Sequence, residues 1–118
     1  MQIIDTRSSK EYVGDDVRAA LSGHIPGAIN INWIFNLKND DSKTFAYEEE
    51  LLELYDFKKI SKDKIIVTHC QTGVRGAHTH FFLKLFGYPN VRLYDGSWAE
   101  WGNDWKTPVI RELIDSPY

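Results

Sequence analysis

The chain has 118 residues, 42% hydrophobic and 26% charged, with a net charge of −3 at pH 7, a composition that excludes a disordered tail, a collagen and a coiled coil. The slight acidity implies no broad surface for nucleic acid or anionic membrane, and no apolar run approaches the ~20 residues a membrane span needs. One cysteine permits no internal disulfide and, with four scattered histidines, forms no zinc-ligand spacing.

Asp5 and Arg7 interrupt the N-terminus before a secretory hydrophobic stretch could form, so a reducing, cytoplasmic setting is expected. Ile3-Ile4 reads as a first strand, closed by Asp5-Thr6-Arg7. Ser8-Ser9-Lys10-Glu11 has the form of a capping box opening a short helix. Pro26-Gly27 signals a turn ahead of a short strand over 28–31. Residues 46–55 place Leu51, Leu52 and Tyr55 on one helical face, with Glu48, Glu49, Glu50 and Glu53 forming a solvated acidic stripe. Lys58, Lys59, Lys62 and Lys64 are read as solubilising charges. Ile65-Ile66-Val67-Thr68 is a continuous apolar run with polar flanks, as expected of a strand buried on both faces. Ala77, Phe81 and Leu85 recur at helical spacing with Phe82 and Phe86, and Gly87 supplies a C-cap. Val91-Arg92-Leu93-Tyr94 is a further strand, closed by Asp95-Gly96. With no repeat, linker or low-complexity tract, residues 1–118 are expected to form one domain. Alternating strands and helices predict an α/β layer fold with a mostly parallel sheet of about five strands and helices on both faces.

Ligands of such sheets bind beyond the carboxyl ends of the strands, which directs attention to the segment after Thr68. There the strand runs through His69 into Cys70-Gln71-Thr72-Gly73-Val74-Arg75 and then into a helix. Loop amides and the orphan N–H groups of the helix can point at one anion, and the helix dipole adds partial positive charge. Both effects favour thiolate over thiol. Gly73 and Gly76 leave room for backbone turns, and Arg75 is the permanent cation of the loop. The alternative for Cys70 is a small buried hydrophobe; the glycines and Arg75 favour an anion cradle centred on the sulfur.

Four segments in order carry a resemblance: Ile4-Asp5-Thr6-Arg7-Ser8 with Glu11-Tyr12, Gly23-His24-Ile25-Pro26-Gly27-Ala28-Ile29-Asn30, Cys70 to Arg75, and Tyr94-Asp95-Gly96-Ser97-Trp98-Ala99-Glu100-Trp101. Together they resemble the rhodanese-like family from Ile3 to about Gly102, most of all the C-terminal catalytic half of two-domain thiosulfate or 3-mercaptopyruvate sulfurtransferases. The resemblance implies transfer of a sulfane sulfur from a small donor to cyanide or a thiol through a Cys70 persulfide, with no metal or organic cofactor. Gln71, Thr72, Gly73, Val74 and Arg75 would bind the donor, with Arg75 on its oxyanion. Asp5 and Arg7 would orient the loop from behind. Arg75→Ala is therefore expected to weaken donor use more than folding. The alternative within the family is a persulfide carrier or regulatory module serving a protein acceptor, and a second rhodanese domain is a further expected partner.

Cys-based phosphatases sharing this fold carry a His-Cys to Arg loop one residue longer than His69-Cys70 to Arg75, and they need an aspartate general acid that is not evident here. Phosphatase chemistry is therefore the third reading. The charged loop favours thiosulfate over 3-mercaptopyruvate, whose transferases carry other residues where this chain has Gln71, Thr72 and Arg75. Glu11 occupies the position of a substrate-binding arginine in vertebrate-type thiosulfate enzymes, and Arg18 is the candidate to replace that contact. His24 is expected to be structural, and His69 to point away from the cysteine's side of the strand. His78 and His80 fall on different helix faces and suggest no metal. Trp98 and Trp101 are expected to pack under the loop.

Overall fold

The computed structural model describes residues 1–38 and 44–111; residues 39–43 and 112–118, part of the expected 1–118 domain, lie outside the described residues. The elements run β1 (Gln2–Asp5), α1 (Ser9–Val13), β2 (Ile29–Asn30), a 3₁₀ turn (Trp33–Asn36), α2 (Glu48–Phe57), β3 (Ile66–His69), α3 (Val74–Leu85), β4 (Val91–Leu93) and α4 (Ser97–Trp101). The strands form one sheet in the order β2-β1-β3-β4. All pairings are parallel, with Ile4 opposite Ile29 and Thr68, and Thr68 opposite Leu93. This is the expected α/β class, with four strands among the described residues where about five were anticipated. The segment before β2 makes only an isolated antiparallel bridge between His24 and Ile110. Gly23 takes φ +107° beside it, and Pro26, lacking an N–H, cannot extend a ladder.

Alternation along β1 divides the core into two layers. Ile4 joins Ile66, Val91, Leu51, Tyr55, Phe82 and Leu83 on the side of α2 and α3. Ile3 packs on the other side with Ile25, Ala28, Tyr12 and Trp98, from around α1 and α4. Because every strand is parallel, Asp5, Asn30, His69 and Leu93 end at the same edge of the sheet. No helix among the described residues is long and apolar enough to cross a membrane.

α3 is the helix that the spacing predicts, and the structure shows which of its faces is buried. The row Ala77, Phe81 and Leu85 faces outward, with Phe81 and Leu85 each 60% exposed, while Gly76, Thr79, Phe82 and Leu83 form the buried face. The cause is close approach at the helix start: a Cβ on Gly76 would stand 3.0 Å from the His69 Cα and 3.1 Å from a Leu93 methyl. A side chain there would push the His69 backbone and Leu93 back by a few tenths of an ångström, so Gly76 permits the close approach of this face to the sheet. Thr68 seals the contact by donating its hydroxyl to the Gly76 carbonyl at 2.8 Å.

Gly76→Ala is expected to force α3 away from β3 and to lower unfolding stability by about 1–3 kcal/mol, read from the urea midpoint at unchanged m-value. An unchanged midpoint would contradict this packing.

Candidate active site

Cys70 leaves the end of β3 with only 1% of its surface exposed. Its Sγ accepts the Gly73 N–H at 3.1 Å. Gly73 supports this by taking φ +96°, a left-handed conformation, and a Cβ there would meet the Asp95 carboxylate at 2.8 Å. Val74 and Arg75 follow in the first turn of α3, where backbone N–H groups have no partner within the helix. The loop is held from behind by α4. The Cys70 N–H donates to Ser97 Oγ at 3.1 Å, and the Ser97 hydroxyl donates to the Tyr94 carbonyl at 2.9 Å. The N–H groups of Trp98 and Ala99 donate to the carbonyls of Cys70 and Gln71, each at 2.9 Å. Ser97 takes φ +53°, unusual for a residue with a side chain, to make this clasp. Thr72 and Val74 remain exposed at the rim.

Two ion pairs flank the loop. Beneath it, Arg7 grips Asp5 with Nε on Oδ1 at 2.9 Å and Nη2 on Oδ2 at 2.7 Å, both residues being fully buried. Arg7 also donates to the Gly23 carbonyl at 2.7 Å and lies 4.5 Å from the centre of the Trp98 ring. The buried His69 ring presents Nδ1 to the Cys70 carbonyl at 3.3 Å and Nε2 to Asp5 at 3.8 Å. Burial lowers the His69 pKa, outweighing the pull of Asp5. A neutral ring with its proton on Nδ1 fits this geometry, a tautomer assigned from its partners.

At the side of the loop, Arg75 forms a two-pronged pair with Glu11, Nη1 on Oε1 at 2.7 Å and Nη2 on Oε2 at 3.0 Å. Glu11 is 1% exposed and also closes the α1 capping box by accepting from the Ser8 N–H and hydroxyl. Burial alone would raise the Glu11 pKa; the hydrogen bonds and charge of Arg75, aided by Ser8, overcome it and hold the carboxyl at about 2. Hydrogen bonding to Glu11 raises the Arg75 pKa against the opposing effect of burial, and the nearby Cys70 sulfur adds to the rise. The guanidinium thus faces a buried carboxylate from the first turn of the helix that follows the sulfur loop. Arg18 approaches the same carboxylate at 3.9 Å from the solvent side, and its carbonyl accepts the Gln71 side-chain N–H at 3.1 Å.

The structure therefore gathers Cys70 to Arg75 in one loop, with Asp5 and Arg7 behind it through His69 and Trp98. Trp98 lies under the loop, whereas the Trp101 indole donates to the Pro108 carbonyl farther out. His24 stacks on Tyr12 at 3.7 Å and is buried in the core. His78 sits against Trp33 and Phe45, and His80 faces the Val91 carbonyl. Among the described residues no group of three His, Cys, Asp or Glu side chains is placed to hold a metal. A cleft of about 410 Å³ lined by Ile31, Phe35, Leu54 and Phe57 lies beside α2 and includes no loop residue. Sequence reasoning missed the Glu11–Arg75 pair and the Ser97 clasp. The capping-box pattern located Glu11 but accounted for it locally, and no local signal reveals a partner 64 residues away.

A family model described as a rhodanese-like domain matches residues 1–104. The chain is 44% identical to a thiosulfate sulfurtransferase of Azotobacter vinelandii and 40% identical to one of Pseudomonas aeruginosa, in each case over 92% of this chain and 40% of the relative. It is 43% identical to the sulfur carrier protein TtuD of Thermus thermophilus, over 92% of this chain and 41% of that protein. It spans well under half the length of these relatives. Among solved structures, EanB with a cysteine persulfide and ergothioneine superposes with a TM-score of 0.85 at 30% identity, over 96% of this chain and 29% of that one.

Glu11 titrates near 2 when folded and near 4.5 when unfolded, so its contribution is complete above pH 4.5 and disappears as the pH falls towards 2. Urea unfolding from pH 5 to 2 is expected to show a loss on the order of 3 kcal/mol from this group. The loss should be absent in Glu11→Gln, and an identical acid profile in the variant would contradict the assignment.

Proposed function

The chain belongs to the rhodanese-like family, and from that membership we propose that it is a sulfurtransferase that carries a sulfane sulfur on Cys70. The observation that supports this most is the Cys70 Sγ, buried at the mouth of a strand–loop–helix turn and accepting the Gly73 N–H at 3.1 Å. The donor is thiosulfate, with 3-mercaptopyruvate as second choice. The Cys70 thiolate attacks the outer sulfur of thiosulfate; the S–S bond of the donor breaks, its electron pair leaves with sulfite, and Cys70 becomes a persulfide. Cyanide or a thiolate then takes the outer sulfur, and the bonding pair returns to Cys70. No net redox change and no external proton are needed, and the two half-reactions give ping-pong kinetics.

Each loop residue has a distinct task in this scheme. The Gly73 amide and the first-turn amides that follow it hold negative charge on whichever sulfur is terminal. Gln71 and Thr72 shape the mouth, Val74 walls it, and Arg75, both of whose terminal nitrogens are held by Glu11, sets the charge at the side of the loop. Asp5 and Arg7 are positioning residues: their pair braces Trp98, whose N–H holds the Cys70 carbonyl. Because Glu11 is buried against Arg75, Arg75→Ala would strand a carboxylate and weaken folding as well as donor use, a cost the sequence did not reveal. A reducing, cytoplasmic setting suits a free thiol in this role.

The name of the Thermus thermophilus relative supports a second reading, a sulfur carrier that passes its persulfide to a protein acceptor. Phosphatase chemistry is disfavoured by the short loop and by the buried carboxylate beside Arg75.

Purified protein given thiosulfate and cyanide is expected to form thiocyanate over many turnovers, and Cys70→Ser to lower the rate by about 10³-fold or more. Negligible thiocyanate, with a stable adduct of one sulfur atom on Cys70, would favour the carrier reading. Activity retained in Cys70→Ser, or hydrolysis of an aryl phosphate that requires Cys70, would overturn the sulfurtransferase.

A further inference from the structure

Arg75 is the permanent cation of the sulfur loop, yet its charge is already engaged. Both of its terminal nitrogens bind the Glu11 carboxylate, which is 1% exposed and so poorly screened by water. Arg18 meets the same carboxylate from outside, with its Nε 3.9 Å from Glu11 Oε2. It too forms a two-pronged pair, Nε on Asp16 Oδ1 at 3.3 Å and Nη2 on Oδ2 at 3.1 Å, but with the two side chains 51% and 36% exposed water screens that pair far more than the buried one. The Gln71 side chain ties the Arg18 backbone to the sulfur loop, so this second cation is fixed at the rim. The inner layer beside the sulfur is thus an internally compensated pair, and the positive charge that solvent meets first belongs to Arg18.

We propose that Glu11 sets the charge selectivity of the Cys70 site. By neutralising Arg75 it disfavours anionic reactants at the sulfur, and it leaves Arg18 as the cation that receives the charged end of an anionic donor at the mouth. The proposal rests on the sulfurtransferase reading for its biological sense, since thiosulfate carries two negative charges to a thiolate that already bears one. In that setting the balance of Glu11 against two arginines governs which donors approach. Glu11 acts through Arg75 and the local field, so it is a positioning residue.

Cys70 alkylation tests this without any sulfur donor. Iodoacetate is an anion and iodoacetamide is neutral, while both need the same thiolate and the same access. The ratio of their rates therefore isolates charge from thiol ionisation and from loop opening. Glu11→Gln keeps the size and one acceptor oxygen for Arg75, and is expected to raise the iodoacetate-to-iodoacetamide ratio about tenfold. Arg18→Gln, on the exposed rim, should lower the ratio about threefold, with both effects shrinking in about 1 M salt. If Glu11→Gln does not fold, Arg18→Gln decides alone. An unchanged ratio in either folded variant overturns the proposal, as does a Cys70 that neither reagent alkylates. A shifted ratio in a protein that forms no thiocyanate would uphold the charge selectivity and sink the sulfurtransferase instead.

Discussion

The Gly73 amide directed at the Cys70 sulfur at 3.1 Å is the contact on which the rest of the site depends. It requires a chain reversal within three residues, a left-handed glycine, and a helix that begins at once. The parallel sheet makes that reversal possible. All four strands deliver their carboxyl ends to one edge, so β3 releases Cys70 beside the ends of β1 and β4. Gly76 then lets α3 start against His69 without an intervening side chain. The backbone of α4 grips the carbonyls of Cys70 and Gln71, while the Gly73 amide faces the sulfur.

The two ion pairs around this turn do different work. Asp5–Arg7 is wholly buried and shares its hydrogen bonds with the Gly23 carbonyl and its ring contact with Trp98, so it locks α4 and the first strand into one base. Such a pair adds little over an apolar replacement of the same shape, but removing one member typically costs 3–5 kcal/mol. Its value here is geometric. Glu11–Arg75 joins α1 to the first turn of α3 and is partly open to solvent on the arginine side. It sets two opposite charges at the side of the sulfur loop.

Much of this was legible in the residues. The β-branched runs located β1, β3 and β4 within a residue or two, and the capping box at Ser8 and Glu11 appears as read. The strand-to-helix passage after Thr68 marked Cys70 to Arg75 as the loop to examine. Periodicity located α3 but not the face it buries: Gly76 pressed on His69 turns Thr79, Phe82 and Leu83 inward and leaves the row of Ala77, Phe81 and Leu85 outside. The short strand β2 kept only two residues because turn residues precede it, and α4 and the 3₁₀ turn gave little pattern in so few positions. Glu11 and Arg75 meet across 64 residues, and local spacing carries no information on such a meeting.

In the proposed reaction, backbone amides at the start of α3 hold the terminal sulfur, whether thiolate or persulfide, in one place. The most direct measurement is a crystal structure of the protein after treatment with thiosulfate. One added sulfur atom is expected, bonded to Cys70 Sγ and lying within hydrogen-bond reach of the loop N–H groups between Gly73 and Gly76. An added sulfur turned away from those amides, or a Cys70 left unmodified by the donor, would contradict it.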